Sequence, residues 1–247
     1  GIKCVCHPDP TDGLGLGKLI SQYKATIMTG TSTFFRLYTK NSKVHPLMFE
    51  SLRLCVAGAE KLREDVRYDF KKKFGKDILE GYGTSETSPV AACNLPDVLA
   101  PDFTIQVGNK IGTVGMAIPG TTIKIVDPLT FKELDTNEEG MILVSGIQVM
   151  RGYLNDEART AKALKKIRGK IYYITGDRGK LDEDGFLTIV DRYSRFAKLA
   201  GEMISLGAIK EKISKILTLG EDSSVDFIVT SIEDEKKGEK IVLLISG

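Results

Sequence analysis

Up to about residue 95, short apolar and β-branched runs alternate with longer stretches of helical periodicity. Residues 17–24, 32–39 and 64–74 carry the helical pattern, and residues 25–28, 52–57 and 77–80 the extended one. The opening Gly1-Ile2-Lys3-Cys4-Val5 also reads as a strand. Strands separated by helices of this length predict a layered α/β sheet with parallel strands, whose ligands sit beyond the carboxyl ends of the strands. From about 100 to 190 the pattern changes to closely spaced β runs punctuated by glycine: 112–115, 121–126, 140–144, 171–175 and 186–190. That spacing predicts a small antiparallel β-barrel or sandwich. After Asp191 come a β-like stretch, a helical segment at 208–217, an acidic turn at Glu221-Asp222 and two strands at 226–230 and 240–245, the start of a small α+β domain. The expected boundaries are 1–103 for the α/β part, 104–191 for the barrel and 192–247 for the last domain.

Composition narrows the picture. With 42% hydrophobic and 28% charged residues, the chain can bury a substantial core. Its 35 basic and 33 acidic residues are intermixed, which gives no electrostatic footprint for nucleic acid. No apolar run approaches the roughly 20 residues that span a bilayer. Four cysteines are too few for a disulfide framework and suit a reducing cytoplasm. The chain lacks an initiator Met and opens on strand-like residues, so it is expected to be a piece of a longer protein.

The strongest chemical signal is Gly81-Tyr82-Gly83-Thr84-Ser85-Glu86-Thr87, directly after the strand at 77–80. Glycines flanking an aromatic let the backbone turn sharply and approach a ligand. Ser85 and Glu86 would place a hydroxyl and a carboxylate beside a phosphate and its Mg²⁺. An ordinary strand-to-helix turn with a capping Ser fits those residues equally well. Two further motifs follow in order: Tyr173-Ile174-Thr175-Gly176-Asp177, then Asp191-Arg192 with Lys198 and Gly201. Together the three resemble the adenylate-forming superfamily of acyl-CoA synthetases, luciferases and nonribosomal adenylation domains, over essentially the whole chain.

The resemblance implies roles residue by residue. Tyr82 would stack on adenine between Gly81 and Gly83, Thr84 would belong to the same nucleotide-binding run, Ser85 would contact the α-phosphate, and Glu86 would hold Mg²⁺. Ser85 stands where the family usually has Thr, which keeps the hydroxyl. Asp177 would accept hydrogen bonds from the ribose hydroxyls, each worth about 1.5 to 3 kcal/mol for a charged acceptor; otherwise it is a turn aspartate beside Gly176. Arg192 would also reach the ribose, or is a surface arginine. Gly58, Ala59 and Glu60, in Ala57-Gly58-Ala59-Glu60-Lys61-Leu62, would line the adenine and acyl pocket, although a tight strand-to-helix connection explains them too. Residues 29–35, Thr-Gly-Thr-Ser-Thr-Phe-Phe, match a wall of the acyl site, while adjacent phenylalanines on a helix are more often core. Ser194 would be the hinge, where relatives commonly carry Asp or Lys. Lys198 and the Gly201 backbone would serve the thioester-forming step, with a solvated hairpin lysine as the competing account.

Enzymes of this superfamily form an acyl-adenylate from a carboxylate and ATP, release pyrophosphate, and then pass the acyl group to a thiol. The expected cofactors are ATP/AMP and Mg²⁺. The expected partners are a fatty acid and either acyl carrier protein or CoA. The phosphate-gripping loop would lie upstream and the adenylation lysine beyond Gly247, so this chain is expected to bind AMP without turnover. Its runs at Pro8-Asp9-Pro10-Thr11-Asp12, 56–62 and 191–203 look most like the acyl-[acyl-carrier-protein] synthetase region of bacterial bifunctional 2-acylglycerophosphoethanolamine acyltransferases. That likeness implies lysophospholipid reacylation, with the parent in the cytoplasm or at the inner face of the cytoplasmic membrane. A long-chain fatty acid CoA ligase is the near competitor, and a non-catalytic AMP-binding module a more distant one. His7 and Asp12 have a His-x4-Asp spacing suited to acid–base chemistry, but the intervening prolines make a structural turn the better account. Cys4-Val5-Cys6-His7 lacks a second cluster for zinc.

Overall fold

The computed structural model describes residues 2–199, 202–217, 227–234 and 238–246. They divide into two compact units, one of Gly1–Lys124, Leu143–Ile174 and Leu181–Thr188, the other of Ile125–Ile142, Thr175–Lys180 and Ile189–Gly247.

The first unit begins with helix α1 (Gly13–Tyr23) and continues through β1 (Ile27–Gly30), α2 (Ser32–Lys40), β2 (Leu54–Ala57), α3 (Glu64–Phe74), β3 (Ile78–Gly83) and β4 (Val90–Cys93). Short strands β5 (Val98–Leu99), β6 (Ile105–Gln106) and β7 (Met116–Ala117) follow. The main sheet runs β1-β2-β3-β4-β7, parallel over its first three strands and antiparallel after β3. Helix α1 starts four residues before the helical pattern suggests. The Asp12 carboxylate accepts the Gly15 amide at 2.9 Å and caps it. At Gly17 an added Cβ would lie 3.0 Å from Met48 Sδ, so the small residue suits a tight approach on this helix.

Three other expectations are corrected. Residues 2–7 form no strand and are mostly exposed, because no described strand offers them backbone partners. Residues 112–115 form no strand: Gly112 and Gly115 take φ of +87° and +86°, which a strand disfavours, although the Val114 amide and the Gly115 carbonyl each bond to Leu187 at 2.8 Å. The glycine motif does not turn at Gly81, since β3 runs on through Gly83.

The core lies between the helices and the sheet. Phe35, Phe49 and Phe70 are fully buried, with Phe35 and Phe70 edge-to-face at 5.1 Å and Phe49 stacked on Phe74 at 4.5 Å. The core account therefore holds for Phe35, and Phe34 packs against its margin.

A second sheet is built from β8 (Thr121–Val126), β9 (Gly140–Gly146), β10 (Leu164–Ile167), β11 (Lys170–Leu181) and β12 (Leu187–Arg192). Its order is β10-β11-β9-β8 with β12 beside β11, the curled antiparallel half-barrel that the glycine-punctuated pattern predicts. The pattern missed α4 (Glu157–Ala163), which buries no residue and carries no apolar stripe. In the second unit, β13 (Phe196–Leu199), β14 (Glu202–Ser205), α5 (Leu206–Leu217), β15 (Phe227–Asp234) and β16 (Gly238–Ile245) form an antiparallel sheet ordered β14-β13-β16-β15 with one helix, an α+β unit as expected. The acidic turn at Glu221-Asp222 lies outside the described residues.

Truncating Phe70 to Ala removes the ring that links Phe35, Phe49 and Phe74. The expected loss is about 3 to 5 kcal/mol of unfolding free energy, read from urea denaturation followed by circular dichroism.

Candidate functional site

Three parallel strands end together. Gly30 pairs with Ala57 and Ala57 with Glu80, so the loops after β1 and β2 and the glycine motif of β3 share one edge of the sheet. Open α/β sheets hold ligands at that edge. The Gly58 amide donates to the Gly30 carbonyl at 3.0 Å, tying two of these loops together. Ala59 takes φ of +67°, a left-handed conformation that costs a residue with a Cβ about 1 to 2 kcal/mol. Glu60 is already engaged. Its Oε1 accepts the Thr33 amide at 2.6 Å, which places a carboxylate on the N-terminus of α2. Burial works against that charge, but hydrogen bonds from the Thr33 amide and from the Thr33 and Thr31 side chains hold Glu60 below its ordinary value.

Gly81 and Tyr82 pair with Cys93 and Ala92 across the β3–β4 hairpin, and a bulge follows between Tyr82 and Gly83. A Cβ at Gly83 would sit 1.8 Å from the Pro89 carbonyl oxygen, so only glycine fits. The glycines therefore permit a close backbone crossing, and the reversal itself falls on the 3₁₀ turn Ser85–Thr87. Buried Thr87 organises that turn by accepting the Thr84 amide at 3.0 Å and donating to the Pro89 carbonyl at 2.6 Å. Thr84 is thus the cap residue, and Thr87 rather than a serine supplies the hydroxyl that holds its amide. Ser85 stays exposed, and Tyr82 is half-buried.

Glu86 is held from two directions. Its carbonyl accepts the Met150 amide at 2.8 Å, and its Oε1 accepts the Tyr153 hydroxyl at 2.7 Å. Partial burial raises its pKa, yet hydrogen bonding, led by Tyr153, leaves the carboxyl below the ordinary 4.5. The same contact raises the Tyr153 phenol, with burial and the Glu86 charge adding to it. Tyr173 is pushed up to about 12, first by burial and then by the Glu86 charge. Two protonated phenols therefore face one ionised carboxylate. Sequence reasoning passed over Tyr153, although Gly152-Tyr153 repeats the glycine–aromatic signature of Gly81-Tyr82.

In the second unit, Asp177 Oδ1 accepts from Arg192 Nε at 2.9 Å, joining two residues that the motifs singled out separately. The Asp177 side chain is 3% exposed and the Arg192 side chain 60%. Asp177 lies inside β11, which rules out the turn-aspartate account. The Thr175 hydroxyl accepts the Asp177 amide at 3.0 Å and donates to the Ile142 carbonyl at 2.9 Å, fixing the backbone there. Neighbouring Asp191 accepts the Ser205 hydroxyl at 2.5 Å, while Ser205 Oγ accepts the Ala208 amide at the start of α5. Lys198 belongs to β13 opposite Met203, and Ser194 to the 3₁₀ turn Tyr193–Arg195; the side chains of both, and Gly201 altogether, lie outside the described residues.

The motifs are carried by a mixed α/β sheet and a curled antiparallel half-barrel. Residues 1–154 match the family model described as AMP-binding enzyme, and the chain belongs to that family. It is 33% identical over 229 residues to 4-coumarate–CoA ligase 2 of Nicotiana tabacum, covering 92% of this chain and 40% of that protein. It is 30% identical over 243 residues to a long-chain-fatty-acid–CoA ligase of Bacillus subtilis, covering 98% and 40% respectively. The chain thus spans about two fifths of the curated relatives it matches. Among solved structures, ATP-bound MatB from Rhodopseudomonas palustris is similar with a TM-score of 0.72 and 26% identity, over 96% of this chain and 42% of that one.

A depressed Glu86 pKa stabilises the fold above the unfolded value of 4.5, and that contribution is lost as pH falls through the lower folded value. Wild type should therefore lose stability relative to Glu86→Gln as pH falls below the free value of 4.5, measured by urea unfolding at each pH.

Proposed function

We propose that the chain is part of an AMP-forming acid–thiol ligase. In that reaction a fatty acid carboxylate attacks the α-phosphate of ATP, pyrophosphate leaves, and a thiol then displaces AMP from the acyl-adenylate. The carrying observation is Glu86, a carboxylate held ionised by Tyr153 in the turn after β3. The tobacco and Bacillus relatives, both CoA ligases by name, support the class of reaction and favour CoA as acceptor. Transfer to acyl carrier protein and lysophospholipid reacylation are the finer form of this proposal, supported by the sequence runs at 8–12, 56–62 and 191–203.

Within it, Tyr82 stacks on adenine, Ser85 donates to the α-phosphate, and Gly58 and Ala59 shape the floor of the pocket. Asp177 accepts the ribose hydroxyls beside Arg192, Lys198 serves the adenylate, and Ser194 is the hinge at the start of the small domain. Mg²⁺ is usually bound through one or two carboxylates plus substrate phosphates, and Glu86 supplies such an oxygen. The ion, when bound, neutralises charge on the phosphate oxygens. The four free cysteines support a cytoplasmic location.

Calorimetric titration with AMP and with a nonhydrolysable acyl-adenylate analogue tests the proposal. Tighter binding of the analogue is expected, whereas equal affinity for both would point to a nucleotide-sensing module instead. Tyr82→Ala should weaken both by about 1 to 3 kcal/mol, roughly 5- to 150-fold. Unchanged affinity would remove Tyr82 from the adenine site.

A further inference from the structure

Glu86 lies on a turn, and an exposed turn alone does not fix a carboxylate to the tolerance that metal or phosphate chemistry needs. The segment from Met150 to Thr160 supplies the missing support. Met150 fastens the Glu86 backbone and the Tyr153 hydroxyl fastens one carboxylate oxygen, at 2.8 and 2.7 Å. Tyr153 is itself clamped, because its amide donates to Thr160 Oγ1 at 2.9 Å in the first turn of α4. The same helix brings the Arg159 guanidinium over the Tyr153 ring, 3.9 Å from its centroid. The Asp156 carboxylate, accepting the Arg159 amide at 2.9 Å, starts α4 at the point that makes both contacts possible. Space for a larger residue is missing here too: a Cβ at Gly152 would lie 2.8 Å from Thr160 Cγ2.

We propose that Tyr153, steadied by Arg159 and Thr160 of α4, is the positioning residue that presents Glu86 to the divalent cation of a nucleotide–metal complex. The hydroxyl occupies Oε1, and Tyr173 and Thr84 contribute to the same carboxyl group, so its orientation toward the ion is set by surrounding side chains led by Tyr153. This goes beyond the assignment of Glu86 as ligand and rests on that assignment. Outer partners of metal-ligating carboxylates typically contribute 10- to 100-fold in metal affinity.

The test is titration of this chain with ATP, with and without MgCl₂, in wild type, Tyr153→Phe and Arg159→Gln. Wild type should bind ATP more tightly when Mg²⁺ is present. Tyr153→Phe, which keeps the ring and loses the hydroxyl, should lose about 10-fold or more of that Mg²⁺-dependent gain while its metal-free affinity stays at the wild-type level. Arg159 is exposed, so its replacement leaves folding intact and should reduce the same gain to an intermediate degree. Circular dichroism melting of all three proteins separates loss of positioning from loss of fold. If Tyr153→Phe keeps the full Mg²⁺-dependent gain, or if metal-free and metal-dependent affinity fall together, the positioning role is overturned and Glu86 can still be the ligand. If wild type itself gains nothing from Mg²⁺, the assignment of Glu86 falls and this inference with it.

Discussion

The close passage of Gly83 beneath the Pro89 carbonyl fixes where the β3–β4 hairpin reverses, and the position of the acidic turn follows from it. Any side chain at that position would push the strands apart and shift the 3₁₀ turn that carries Ser85 and Glu86. The buried Thr87 then locks the reversal through its hydroxyl, so the neighbouring residues can remain accessible without the loop losing its shape. Binding groups on loops depend on such rigid support, because hydrogen bonds made within the loop take the place of those a regular element would provide.

Much of this was legible beforehand. The β–α alternation gave the parallel strands, since fully buried strands and amphipathic helices differ in period. What could not be read was where pairing partners existed. Residues 2–5 alternate like a strand yet have no described neighbour, and the run at 112–115 is β-branched only at Thr113 and Val114, flanked by glycines in left-handed conformations. Conversely, Gly81 and Gly83 look like breakers but continue β3, because the strand needs close approach there more than it needs side chains.

The candidate residues were legible in the same uneven way. Ser85, Glu86, Asp177 and Arg192 stood out because each sits in a motif of rare composition. Tyr153 did not, since its contact spans 67 residues of sequence and depends on an exposed helix without apolar periodicity. Glu60 was grouped with Gly58 and Ala59 as pocket lining, and its engagement with the α2 N-terminus is a tertiary contact that no local pattern encodes.

Three carboxylates in this chain are held by three kinds of donor, and the difference sorts what each can do. Glu60 faces the amide at the start of a helix, so its charge is spent on the helix dipole and stabilises the fold. Asp177 faces a guanidinium, which balances its buried charge. Glu86 faces two phenols, led by Tyr153, that donate hydrogen bonds without bringing a positive charge of their own. Of the three carboxylates it is the one whose negative charge no cationic or helix-terminal partner among these contacts offsets, and the proposed cation role rests on that difference.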